Sequence, residues 1–176
     1  MKDIQTERLI LRDASVSDAE DMFEYAKLEE VTKHLSWKPH QTVKDSEKIL
    51  DALSKEAKEK GSYVLKAIVL KENNKMIGTI DARIFGEGQK DAEFGYCLNP
   101  KYWNKGYMSE TLKAFMQALH KECSIENIFG SFERENIASK RVMQKNEMYY
   151  YETVKRNFKN KGEVELIRYK ELNISC

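Results

Sequence analysis

The feature that most constrains the fold is a strand that turns into a helix within residues 91–122. Apolar and aromatic side chains alternate along residues 92–98, as they do on one face of a β-strand. Across residues 108–119 apolar side chains recur at helical spacing, and this segment contains no glycine or proline. The chain therefore turns from strand to amphipathic helix across residues 99–107, and Gly106 lies at the junction.

The junction has the chemical character of an anion site. A helix that begins at a tight glycine turn presents N–H groups without intrahelical partners, and the helix dipole adds partial positive charge there. Lys101 and Lys105 lie within a few residues of that end, so a phosphate or pyrophosphate would fit. An ordinary strand–loop–helix connection has the same pattern. The glycine spacing excludes two other phosphate sites, the P-loop and the dinucleotide turn.

The remaining elements follow from periodicity and turn residues. Strands are predicted at residues 8–12, 63–70, 75–85, 92–98, 127–133, 148–158 and 163–172, and helices at 19–26, 43–60, 108–119 and 136–145. The connection between the fourth and fifth strands contains a long helix, which is the crossover that joins parallel strands. The expected fold is therefore α+β, a mixed and mostly antiparallel sheet of about seven strands flanked by about four helices.

Composition narrows the class of protein. With 176 residues, 41% hydrophobic and 34% charged, the chain is expected to form a single domain over residues 1–176. Lys and Arg total 30 against 29 Asp and Glu, so no net basic field indicates nucleic-acid binding. No apolar run is long enough for a membrane helix and no leader is recognisable, which predicts a cytoplasmic protein.

Cysteine and histidine spacing predicts neither disulfides nor a metal site. The residues concerned are Cys97, Cys123, Cys176, His34, His40 and His120.

Three motifs give the chain a resemblance to a known family. The turn over residues 102–108 resembles the acetyl-CoA pyrophosphate loop of the GNAT superfamily of N-acetyltransferases, Arg/Gln-x-x-Gly-x-Gly/Ala. Residues 133–145 resemble the Glu-Asn-x-x-Ser-x-Arg-Val-x-x-Lys stretch of the branch that includes the ribosomal-protein-alanine N-acetyltransferases. Residues 37–42 resemble the Trp-x-Pro-His-x-Thr loop of the same branch, and residues 6–12 extend the similarity to nearly the whole chain.

The resemblance implies a GNAT fold, acetyl-CoA as co-substrate, no metal, and a monomer or homodimer. It assigns cofactor contacts to Cys97, Leu98, Asn104, Lys105, Gly106, Tyr107, Met108, Ser109, Asn136, Ser139, Arg141 and Lys145. Main-chain N–H groups of residues 104–109 would hold the pyrophosphate, and the pantetheine arm would run along residues 97–98. Asn136 would hydrogen-bond that arm. Arg141 and Lys145 would face the outer phosphates, or else form a solvated basic face.

The chemistry requires a base for the amine and a donor for the oxyanion, and an acid can assist the leaving thiolate. Glu93 is the predicted base, acting through water, although an exposed strand glutamate has the same appearance. The N–H of Leu98 or a neighbour would stabilise the oxyanion. Many family members place a tyrosine acid where this chain has Met143, so Ser139 is the candidate acid, unless it only bonds locally. A second departure is residues 146–148, where relatives have a glycine after the lysine.

The acceptor amine is open. The branch suggests the N-terminal amine of a ribosomal protein, and the alternatives are a small-molecule amine (polyamine, amino sugar, amino acid or drug) or a non-catalytic domain that binds acyl-CoA. Trp37 and His40 are the predicted acceptor contacts, and residues 149–151, three tyrosines, could line the mouth or simply pack. A polycation would need clustered acids. The nearest set is Glu87, Asp91 and Glu93.

Overall fold

The computed structural model describes residues 1–158 and 160–172. Predictions that involve Lys159, in the last turn, and Cys176 lie outside these residues. The helices are α1 (Ala19–Ala26), α2 (Glu29–Thr32), α3 (Val43–Lys60), α4 (Tyr107–Cys123) and α5 (Ile137–Lys145). The strands are β1 (Ile4–Gln5), β2 (Leu9–Asp13), β3 (Tyr63–Leu70), β4 (Met76–Phe85), β5 (Asp91–Leu98), β6 (Asn127–Glu133), β7 (Met148–Phe158) and β8 (Gly162–Glu171).

The strands form one sheet in the order β1-β2-β3-β4-β5-β6-β8-β7. Among the described strands only β5 and β6 run parallel, and α4 is the crossover between them. The other neighbouring strands are antiparallel. The prediction of a mixed, mostly antiparallel sheet is therefore confirmed.

Local sequence explains where the helices begin and end. At the start of α3, Thr42 and Asp45 form a reciprocal capping box that satisfies first-turn N–H groups. Gly61 ends the same helix with φ +58°, a left-handed conformation that suits glycine. Asn136 caps α5, because its side chain accepts a hydrogen bond from the N–H of Ser139 at 3.1 Å.

Helices cover both faces of the sheet. On one face α4 buries Leu112, Phe115 and Leu119 completely. On the other face Tyr25 of α1 and Leu50 of α3 belong to a second buried cluster. No helix within the described ranges is long and apolar enough to cross a membrane.

The structure differs from the prediction at short elements. Strand β1 and helix α2 were not predicted, so the described residues contain eight strands and five helices rather than about seven and four. Both have four residues or fewer, too short for a periodic pattern to register. The turn after α5 keeps its shape without glycine, because Glu147 adopts φ +58° at a steric cost of roughly 1–2 kcal/mol.

The strands β5 and β6 separate halfway along their length. They pair only from Asp91 to Phe94 against Asn127 to Gly130. At the point of divergence the ring of Phe94 packs on the backbone of Gly130, since an added Cβ there would lie 2.4 Å from the ring. Beyond it, β5 continues beside β4 and β6 continues beside β8, which leaves a gap in the middle of the sheet.

Candidate functional site

A first cavity of about 430 Å³ occupies this gap on the side of α4 and α5. Its walls come from four runs of chain: residues 30–35, 96–98, 102–109 and 136–145. Nearly every predicted cofactor contact therefore lines one cavity. Lys105 lies in the loop but does not itself line the cavity, and its ammonium lies over the ring of Tyr102, 5.6 Å from the centroid.

The first cavity contains the exposed N-terminus of α4. Gly106 immediately precedes the helix with φ +82°, a left-handed conformation in which any other side chain would be strained. The first N–H groups of α4 have no partners within the helix. This end of the helix can therefore bind an anion through main-chain donors.

The N-terminal segment holds this loop in place. The guanidinium of Arg8 donates to the carbonyl of Lys105 at 3.0 Å and lies over the ring of Tyr107, 4.2 Å from its centroid. It also pairs with Glu110 at 2.7 Å, and Glu110 accepts a bond from the hydroxyl of Thr6 at 2.6 Å. Burial alone would raise the pKa of Glu110, but the bonds from Thr6 and Arg8 outweigh it and hold that pKa below its ordinary value.

The sequence analysis did not assign this role to Arg8. The signal that could have found it was the similarity over residues 6–12.

The free edge of β5 offers backbone groups to the gap. The N–H of Asn99 donates back to Ile77 on β4 at 2.8 Å, so the adjacent residue Leu98 directs its own N–H and carbonyl away from β4. The indole of Trp103 donates to that carbonyl at 2.7 Å. The N–H of Leu98 is left facing the gap, as the predicted oxyanion donor requires.

Helix α5 brings a hydroxyl pair to the same place. The Oγ of Ser139 lies 2.8 Å from the hydroxyl of Tyr96, which reaches across from β5. Burial raises the pKa of Tyr96 well above its ordinary value, so the phenol stays protonated at neutral pH. Arg141 and Lys145 line the cavity with exposed side chains. Asn136 uses its carbonyl oxygen to cap α5, which leaves its amide nitrogen for a ligand.

A second, larger cavity of about 980 Å³ lies on the α1 and α3 side of the sheet. His34, Leu35, Tyr96 and Cys97 line both cavities, so the two meet at the gap. The thiol of Cys97 lies 3.2 Å from the hydroxyl of Thr79, and burial raises its pKa. A molecule in the second cavity can therefore reach one in the first.

The predicted base, Glu93, lines the second cavity and is fully engaged. One carboxylate oxygen accepts from the hydroxyl of Ser131 at 2.6 Å, and the other accepts from Arg156 and lies 3.3 Å from Arg168. A substrate amine or a water molecule would have to displace one of these donors to reach Glu93.

The rings of Trp37 and His40 have centroids 4.9 Å apart, but the two side chains have different environments. Trp37 lines the second cavity. His40 lines neither cavity, is only 8% exposed and shares a hydrogen bond of 2.8 Å with Ser46. Burial lowers its pKa, which favours the neutral ring. The structure therefore places His40 away from both cavities, where its side chain links the loop to Ser46 of α3.

The structure also places two further groups that the sequence analysis considered for the acceptor. The tyrosines at 149–151 are more than half exposed on β7, the last strand in the sheet, and line neither cavity. Of the proposed acidic set only Glu93 faces the second cavity, because Asp91 bonds to the amide of Asn127 at 2.7 Å and Glu87 lies exposed in the preceding turn. Spacing along the chain does not indicate which face of the sheet meets the cavity, so only the structure shows where these side chains lie.

The sequence analysis missed Asp81, a carboxylate on β4 that lines the second cavity. Burial raises its pKa to about 7. Its only sequence signal is an acid within an otherwise mostly apolar strand. Across the described ranges no group of three or more histidine, cysteine or acidic side chains is placed to hold a metal ion.

Comparison with known proteins shows the family to which this chain belongs. The model of the acetyltransferase (GNAT) domain matches residues 8–149. YnaD of Bacillus subtilis (strain 168), named as an uncharacterized N-acetyltransferase, is 33% identical over 144 residues, which cover 81% of this chain and 79% of YnaD. A GNAT-family acetyltransferase from Bacillus anthracis superposes with a TM-score of 0.81 at 27% identity, covering 97% of this chain and 98% of that one.

The structure of RimL, a ribosomal alpha-N-protein acetyltransferase in complex with coenzyme A, superposes with a TM-score of 0.83. Identity is 20%, and the match covers 97% of each chain, so this likeness concerns the fold.

Proposed function

Because this chain belongs to the GNAT acetyltransferase family, we propose that it transfers the acetyl group of acetyl-CoA to a primary amine. The observation that carries the proposal is the meeting of two cavities at a gap in the sheet, beside an exposed helix N-terminus. One cavity suits the acyl carrier and the other suits the acceptor. The gap is where an amine and a thioester could meet.

The first cavity offers three matches to acetyl-CoA. Main-chain N–H groups at the start of α4 suit the pyrophosphate, and the side chains of Arg141 and Lys145 suit the outer phosphates. The free edge of β5 suits the amide groups of the pantetheine arm, which would pair with it as an added strand does. The amide nitrogen of Asn136 could donate to the same arm.

The mechanism needs few protein groups. The amine attacks the thioester carbonyl, and the N–H of Leu98 stabilises the oxyanion that forms. The carbon–sulfur bond then breaks, and the Ser139 hydroxyl, backed by Tyr96 at 2.8 Å, donates a proton to the departing sulfur.

For the acceptor we propose the N-terminal amine of a protein. The size of the second cavity and its opening to solvent suit the end of a peptide chain, and the shared fold with RimL supports the same class. The charged side chains of the cavity have both signs, and two of its acids are already paired, which does not favour a polycation. These pairs are Glu93 with Arg156 and Arg168, and Glu133 with Lys161. A small-molecule amine is the alternative.

The test is a thiol-release screen with acetyl-CoA against N-terminal peptides, amino acids, amino sugars and polyamines. We expect release with peptides, and mass spectrometry should find the acetyl group on their α-amine. Thermal stabilisation by CoA without release from any amine would identify a binding domain instead. Absence of stabilisation would contradict the cofactor site, since a ligand at 100 times its dissociation constant adds roughly 2.7 kcal/mol.

A further inference from the structure

We propose that Asp81 takes the proton from the acceptor amine, and that the acceptor enters the second cavity as a primary ammonium ion drawn to this carboxylate. This inference rests on the proposed function and adds a residue that the family motifs of the sequence do not contain. It also replaces Glu93 as the candidate base.

Between Asp81 and the gap lies Gly95, which has no side chain to block the carboxylate. The partner of Asp81 across β4 and β5 is this glycine, the first residue of β5 beyond the pairing with β6. A Cβ built on Gly95 would lie 3.4 Å from a carboxylate oxygen of Asp81. Glycine therefore leaves open the space between the carboxylate and the gap, where the thioester would lie.

Asp81 has no partner of its own within the described part of the chain. No hydrogen bond or ion pair there involves its carboxylate, although it lies among packed protein atoms. Burial raises the pKa of Asp81, and the positive charge of Arg83 lowers it by less. Arg83 is itself occupied, because it bonds to Glu56 of α3 at 3.1 Å and lies over the ring of Tyr63, 4.8 Å from the centroid. An unpaired carboxylate in a cavity attracts a cation, and a primary ammonium is the cation that this reaction uses.

The other groups that face Asp81 do not neutralise it. They are Tyr63 on β3, Cys97 on β5 and Glu56 on α3, and each of them is neutral or negative. Glu93 lies two residues from Gly95 along β5, but its charge is matched by Arg156 and Arg168. Burial is therefore the main influence on Asp81, and it raises the pKa to about 7, a value suited to a general base near neutral pH.

The proton balance is complete with these groups. The ammonium gives one proton to Asp81, directly or through one water, and the free amine then forms the carbon–nitrogen bond. When the carbon–sulfur bond breaks, the nitrogen loses a second proton and the sulfur gains one through Ser139. The products are the amide, the CoA thiol and one proton, which Asp81 releases to solvent.

The test compares Asp81→Asn with Glu93→Gln, using the best acceptor from the screen. In the wild type kcat/KM should rise with pH and level off above about pH 7. Asp81→Asn should lower kcat/KM about 100-fold and remove that inflection, while CoA binding stays within about twofold. Glu93→Gln should keep the inflection. Loss of the inflection in Glu93→Gln together with its retention in Asp81→Asn would overturn the proposal.

A second measurement does not depend on turnover. The pKa of Asp81 is raised on folding, so its charge costs stability, and this cost grows as pH rises from about 4 to 7. Asp81→Asn should therefore melt at the same temperature as the wild type near pH 4 and about 3 °C or more above it at pH 8. Equal melting temperatures at both pH values would overturn the proposal.

The two proposals fail in distinguishable ways. Turnover in the wild type with an unchanged profile in Asp81→Asn would overturn the role of Asp81 alone. A wild type that binds CoA but acetylates no amine would overturn the proposed function and, with it, the role of Asp81 as base.

Discussion

The two cavities are built in different ways. The first is lined by four short runs of chain. Its main hydrogen-bonding groups belong to the backbone, namely the N–H groups at the start of α4 and the free edge of β5. The second is lined by side chains from α1, α3 and most strands of the sheet. Its wall is largely apolar but includes the ion pairs of Glu93 with Arg156 and Arg168. Backbone geometry is encoded within a few residues, whereas charge pairing depends on which side chains meet after folding.

The contrast has a functional reason. A carrier molecule such as CoA is the same for every member of a reaction class, and a loop plus a helix end suffices to hold its phosphates. The acceptor differs from one enzyme to another, and side chains supply that variation. Substitutions at the start of α4 should therefore mainly affect cofactor binding, and those on the wall of the second cavity away from the gap should mainly affect the acceptor.

The largest loss of function is expected from a substitution at the start of α4, where CoA affinity should fall. In Gly106→Glu the new carboxylate competes for the main-chain N–H groups, and the residue is strained at φ +82°. CoA affinity measured by calorimetry should fall at least about 100-fold, or roughly 2.7 kcal/mol.

Gly106→Ala is the matched control for this substitution. It carries the same backbone strain without the charge, and its Cβ would lie 3.5 Å from Arg8, an ordinary contact. It should bind CoA more tightly than Gly106→Glu does. Near-normal affinity in Gly106→Glu would show that the anion binds elsewhere.

An intermediate effect, a decrease in kcat, is expected from substitutions near the point where the cavities meet. Ser139→Ala removes the hydroxyl assigned to the departing sulfur, so kcat should fall about tenfold while the dissociation constant of CoA stays unchanged. Tyr96→Phe removes the hydroxyl behind it and should have a smaller effect. Steady-state kinetics with calorimetry separates the two parameters. If both variants keep kcat within about twofold, the thiolate leaves unaided.

The smallest effect is expected at the wall of the second cavity. Trp37→Ala should raise the acceptor KM about threefold to tenfold, with little change in CoA affinity, because the indole lines only this cavity. Tyr150→Ala is the control: its ring is 62% exposed on β7 and lines neither cavity. An equal change of KM in both variants would contradict this boundary of the acceptor site.

Local sequence was sufficient for the parts of the molecule whose physics is local. The capped helix that ends at Gly61, the strand β6 and the turn at Gly106 all follow from periodicity and from residues that fix backbone angles. The N–H groups of the cofactor loop belong to the same class, since any helix that begins at such a turn exposes them. Local preference did not decide the turn after α5, because Glu147 adopts φ +58°, a conformation that favours glycine.

The sequence by itself determined that a strand, a glycine turn and a helix would follow one another with Gly106 at the junction, and three motifs carried the resemblance to the family to which the chain belongs. Only the tertiary structure decided the states of the carboxylates. Glu93 is held by Ser131, Arg156 and Arg168, which lie on other strands, while Asp81 lies beside a glycine and has no partner among the described residues. The physical reason is that the basicity of a carboxylate depends on burial and on neighbours in space, and neither can be obtained from position along the chain.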